Sequence, residues 1–189
     1  MSAEFRLYPD QLGKVARTGA VESVQEAELR LDEPVSRVVI QGFLERAARA
    51  YWQLITRWTL GLIRVTSKGG DQCVVLIAPP FVLLRFHAPE YDVSEDHGSV
   101  TWRIKRGILV SREGQHRGAL RLGVAAADGA NGTCHLHVRM EVQNFYPWLR
   151  GSGRFARVGV WVYAQTQRRI HRSVTRGFLR RLATTAAEG

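Results

Sequence analysis

The sequence predicts an α+β fold: about seven antiparallel strands, one or two short helices after the first strand, and a long helix at the C-terminus. Three observations predict it. Apolar residues recur at helical spacing from Val35 to Trp58, and from Leu62 to Gln143 the period falls to two. Helical spacing then returns beyond Gly153. Periods of 3.6 and 2 are what one buried face of a helix or of a strand imposes on a sequence.

The elements follow in order. Residues 1–20 have weak periodicity and read as an N-terminal arm. Val21–Leu31 alternates in part, with Ala27, Leu29 and Leu31 opposite Glu26, Glu28 and Arg30, and reads as the first strand. Asp32-Glu33-Pro34 has the chemistry of a helix start: acidic groups near the positive end of the helix dipole, and a proline where its missing N–H is not needed. Val35, Val38, Val39, Leu44, Ala47, Ala48, Tyr51, Leu54, Ile55 and Trp58 continue the helix, and Gly42 marks the point where it would bend into two.

Strands are expected at 62–66, 73–78, 81–88, 99–110, 119–127 and 133–143. Turns are expected at Lys68-Gly69-Gly70-Asp71, at Pro79-Pro80, at residues 112–116 and at the hairpin 128–132, and a polar loop at 91–98. In the last strand Cys134, Leu136, Val138, Met140 and Val142 take one face, with His135, His137, Arg139, Glu141 and Gln143 on the other. One face of this sheet is therefore covered and one is wet. In the final helix Tyr163, Ile170, Val174 and Phe178 share a face, opposite Arg168, Arg169, Arg172, Arg176 and Arg180.

Composition bounds the function classes. A chain of 189 residues with 45% hydrophobic and 23% charged residues builds an ordinary globular core, burying roughly 70% of its unfolded surface. The charge is less ordinary: 27 Lys and Arg oppose 17 Asp and Glu, for a net +10, and residues 150–189 hold nine Arg against the single acid Glu188. No apolar secretory core stands near the start, no stretch is apolar for about 18 residues, and two cysteines make no disulfide framework. A cytoplasmic protein with reduced, buried Cys73 and Cys134 is expected, and Asn131-Gly132-Thr133 reads as a turn rather than a glycosylation site.

Candidate site residues come from breaks in the pattern. Arg106 is in phase with Trp102, Ile104 and Ile108 on the apolar side of its strand. A buried cation must be paired or bind an anion, so Arg106 reads as a carboxylate or phosphate anchor, or else as a strand-end residue that reaches water. Tyr163 and Gln167 lie on the apolar side of the last helix with His171 on its flank; such groups orient a ligand in an apolar pocket, and a desolvated histidine can serve as a base. His135 and His137 share a strand face, as two zinc ligands would, but that face is the polar one, and no metal site or cofactor is expected. The carboxylates Glu90, Asp92, Glu95 and Asp96 read as a solvated loop. Glycine-rich phosphate loops, G-x-S-x-G and H-E-x-x-H are all missing from the sequence.

This order of elements resembles the helix-grip superfamily, which includes START lipid-binding domains, Bet v 1 plant allergens and polyketide cyclase-like bacterial proteins. The resemblance spans residues 21–184 and leaves the arm 1–20 and a tail 185–189 outside. It implies a curved sheet gripping the C-terminal helix over an apolar cavity. It carries over no catalytic residue. The expected function is binding of an apolar small molecule, lipid or polyketide-like, among Trp102, Arg106, Tyr163, Gln167 and His171. A cyclase- or hydratase-type enzyme in the same cavity, with His171 as base, is one alternative. Another is an interaction module whose arginine face (Arg168, Arg169, Arg172, Arg176 and Arg180) docks on RNA or an anionic surface.

Overall fold

The computed structural model describes residues 4–8, 20–31, 37–76, 82–129 and 133–146. The expected C-terminal helix lies outside these residues, as do the helix start at 32–34, Pro79-Pro80 and the tip of the 128–132 turn.

The chain begins with β1 (Glu4–Leu7) and β2 (Val21–Leu31), which pair antiparallel. Four residues of the segment expected to be an arm are thus an edge strand. Helix α1 (Arg37–Trp58) follows as one element of 22 residues. This corrects the expectation of one or two short helices with a bend at Gly42. Buried residues run straight past that glycine, from Ile40 to Phe43, Leu44, Ala47, Ala48, Tyr51 and Trp52. Packing along the whole stripe outweighs the roughly 1 kcal/mol that a glycine costs inside a helix.

Next come β3 (Ile63–Lys68), β4 (Asp71–Leu76) and β5 (Val82–Phe86), with Gly69 and Gly70 at positive φ in the turn between β3 and β4. Strands β6 (Glu90–Val93) and β7 (His97–Arg106) form a short hairpin where a polar loop was expected. Three of the four residues of β6 are exposed, so no alternation betrays the strand. Then β8 (Ala119–Asp128) and β9 (Cys134–Phe145) complete the sheet, preceded by a 3-10 turn at Arg112–Gly114.

The sheet has nine strands among the described residues, in the order β1-β2-β9-β8-β7-β5-β4-β3, with β6 also on β7. The seven expected strands are all present, and β1 and β6 are added. All pairs are antiparallel. The register places Val100, Trp102 and Ile104 of β7 on one face, next to Leu120, Leu122 and Val124 of β8 and Leu136, Val138 and Met140 of β9. Helix α1 packs on this face, against β7, β3, β8 and β6. It sits so close that a Cβ on Gly98 would lie 2.8 Å from both Ile40 and Leu44.

Candidate functional site

The inner face of the sheet carries a wall of aromatic rings where α1 crosses it. Helical spacing brings Tyr51 and Trp52 of α1 down together, and strand alternation brings Trp102 up to meet them. Trp52 stands edge-on to Trp102 with ring centroids 5.3 Å apart, Tyr51 stacks on Trp102 at 6.4 Å, and Phe86 closes on Trp52 at 5.5 Å. Burial raises the Tyr51 hydroxyl above the ordinary phenol range, so it stays protonated. The indole Nε1 atoms of Trp52 and Trp102 are both buried, and neither has a hydrogen-bond partner among the described residues. Leaving such a donor unmet costs about 1–3 kcal/mol.

Trp102 is thus fully buried where the alternation placed it. Arg106 is not on that wall. Phe86 pairs with Ile104 and Arg85 with Arg106, so Lys105 is an extra residue in β7, and this bulge breaks the phase. Arg106 ends the strand with an exposed side chain, and Ile108 is exposed as well. Tyr163, Gln167, His171 and the arginines at 168, 169, 172, 176 and 180 lie outside the described residues. His135 is held by its own face of the sheet: its Nδ1 is 2.6 Å from Glu28 Oε1, and Tyr8 donates to Glu28 Oε2 at 2.7 Å. The Tyr8 bond first and the His135 bond second hold the Glu28 carboxyl below the usual range. Among the described residues, no group of three His, Cys, Asp or Glu is placed to hold a metal. Glu90 meets Arg103 at 3.0 Å and Asp96 meets His97 at 2.8 Å, while Cys73 and Cys134 are buried and form no disulfide with each other.

The outer face holds a second feature. Three transverse rows cross β7, β8 and β9: Thr101, Arg121 and Glu141; Ser99, Gly123 and Arg139; His97, Ala125 and His137. Over the small residues of the middle strand lies a groove of about 300 Å³, walled by the arginines, the histidines and Glu141. Arg121 Nη2 donates to Ser99 Oγ at 3.2 Å. Arg139 is bonded to Glu141 and lies 3.3 Å from Glu26. Sequence reasoning missed this groove. The one signal available was Gly123, a glycine in the middle of an otherwise alternating strand.

No family model matches the chain, and no curated protein does. Solved structures similar to it include CalU16 from Micromonospora echinospora, at 12% identity and a TM-score of 0.28, covering 100% of this chain and 95% of that one. Ara h 8.0201 is 11% identical with a TM-score of 0.35, covering 89% of this chain and 99% of that one. The lipid transfer and protein localization domain of human StarD13 is 11% identical with a TM-score of 0.31, covering 81% and 73%. At these identities and TM-scores the similarities assign no residue a role. No helix among the described residues is long and apolar enough to cross a membrane.

Proposed function

We propose that the protein holds an apolar small molecule, of lipid or polyketide kind, between the inner face of the sheet and its C-terminal segment. The ligand carries at least one acceptor oxygen. The observation behind this reading is the pair of buried, unpartnered indole N–H groups on the aromatic wall at Trp52 and Trp102. An apolar pocket with a few convergent polar groups is the usual form of a small-molecule site. Here a carbonyl or hydroxyl oxygen would accept from the indoles while the rest of the ligand lies on the Leu120, Leu122, Leu136, Val138 and Met140 surface. Burying about 300 Å² of apolar ligand would contribute roughly 7–8 kcal/mol before ordering costs. In this proposal Tyr163, Gln167 and His171 face the ligand from the last helix, and Arg106 stands at the rim.

The test is native mass spectrometry of the purified chain, followed by thermal shift and titration with a long-chain fatty acid and an aromatic polyketide. A retained or added small molecule, with a raised Tm, is expected. Trp102→Phe keeps an aromatic ring and removes the N–H with the five-membered ring that bears it. It should weaken an oxygen-bearing ligand about 2- to 10-fold. No bound molecule, no ligand-induced rise in Tm and an affinity indifferent to Trp102→Phe would reject the proposal.

A further inference from the structure

We infer that the groove on the outer face of the sheet binds a small, soluble, phosphate-bearing molecule, with Arg121 as its anchor. This site is separate from the proposed inner cavity, since its residues alternate out of phase with Trp102, Leu122 and Val138 along the same strands.

The floor is the first argument. Gly123 lies within β8, which pairs on both sides. A glycine inside a strand weakens it, and one is kept where φ must be positive, where packing leaves no room, or where something approaches the backbone. The first two reasons do not apply. Gly123 has no positive φ, and a Cβ added there would meet only the Arg139 carbonyl, at 3.9 Å. Ser99 and Ala125 beside it keep the floor low, and the result is an open groove of about 300 Å³.

The charges are the second argument. Glu141 lines the groove, but its two oxygens receive Arg139 and Gln143. Glu26 also faces Arg139. The acids at this place are therefore engaged by a neighbouring cation. Arg121 is different: its one hydrogen bond among the described residues is to a hydroxyl, Ser99 Oγ. A guanidinium so placed offers a fork of donors to a tetrahedral or planar oxyanion. Ser99, on the neighbouring strand, can add its hydroxyl donor to the same anion, and His137 lines the same groove. Phosphate fits this set better than a cation, because each uncommitted polar wall group can donate and Arg121 carries a positive charge.

The experiment uses the full chain in a phosphate-free buffer at low salt, titrated with inorganic phosphate and with phenyl phosphate, and followed by calorimetry and by amide NMR shifts. Saturable binding is expected, with shifts centred on Ser99, Gly123 and Ala125. Arg121→Gln should weaken it by about tenfold or more. Gly123→Val should abolish it by filling the floor while raising the Tm by about 1–4 °C, since valine suits a strand better than glycine. A gain in stability with loss of binding separates a ligand site from a structural role. Absence of saturable binding, or binding unchanged by both variants, would overturn the inference. So would Arg121-dependent binding of a short RNA or of phosphatidic acid vesicles with none of the soluble phosphates. Occupancy of the inner cavity should be untouched by either variant, so failure here leaves the other proposal standing.

Discussion

Leu60 sits where a helix usually places glycine. After α1 the Gly61 N–H bonds the Thr56 carbonyl at 2.8 Å and the Leu60 N–H bonds Arg57 at 3.1 Å, the paired bonds of a Schellman cap. Leu60 therefore takes the left-handed position, with φ at 52°, and its side chain is 91% exposed. A leucine there carries a steric cost of about 1–2 kcal/mol and buries nothing in return. Leu60→Gly should raise the Tm by about 2–4 °C per kcal/mol recovered, read by calorimetry; an unchanged or lower Tm would show that the exposed side chain is held by something. Asp71 is the opposite case. Its Oδ2 receives Lys105 at 3.0 Å and Arg85 at 2.9 Å, and these two, Lys105 foremost, hold its carboxyl below the usual range. A depressed carboxylate stabilises the fold above its unfolded pKa, and the contribution is lost as pH falls through the folded value. Asp71→Asn should thus lower the Tm at neutral pH, and the gap to wild type should close in acid. Residue-scale reading of the sequence placed Trp102 on the buried face because the strand alternates cleanly up to Ile104. It left Arg106 open between an inward anchor and a strand-end residue that reaches water, because a one-residue bulge at Lys105 leaves no mark in an apolar–polar pattern; the structure shows the strand-end placement.

At the scale of elements, patterns backed by burial were legible and those without it were not. The long strands β2, β7, β8 and β9 each pack one face on the core, so their phase shows in the residues. Strand β6 is acidic and exposed, held to β7 by backbone pairing and by Glu90 on Arg103, and nothing in its composition separates it from a loop. The outer groove was equally hidden. It is made by residues from three strands that only the register brings side by side, and Gly123 alone could have hinted at it. Gly42 misled in the other direction, since a helix breaker by propensity sits inside a helix fixed by packing. That makes a prediction. A methyl at Gly42 would lie 3.3 Å from the Arg46 Nη1, the free end of a flexible and exposed side chain. Gly42→Ala should therefore stabilise the protein by about 0.8–1 kcal/mol in denaturant unfolding; a loss of stability would mean that Arg46 cannot yield.

Across the whole molecule the sheet is two ladders joined at one seam. Strands β2, β9, β8 and β7 pair along nearly their full lengths, and β3, β4 and β5 form a smaller ladder. Between β5 and β7 the register holds at Arg85–Arg106 and Phe86–Ile104, with the bulge in between. Three things reinforce this junction: the backbone bonds from Ile108 and Leu109 to Val82 and Leu83, the Asp71 carboxylate reaching Arg85 of β5 and Lys105 of β7, and Trp52 of α1, which touches Phe86 on one side and Trp102 on the other. Free energy of local opening follows how much burial and pairing must be undone, so the smaller ladder should open first. Native-state hydrogen exchange should show the amides of Val65 and Val74 exchanging well before those of Leu122, Val138 and Met140. Trp52→Ala removes the bridging ring at a cost of about 3–5 kcal/mol. It should widen that gap, speeding exchange in β3–β5 far more than in β8 and β9. Equal acceleration on both sides would show instead that the sheet opens as one unit, with α1 serving its whole width rather than the seam.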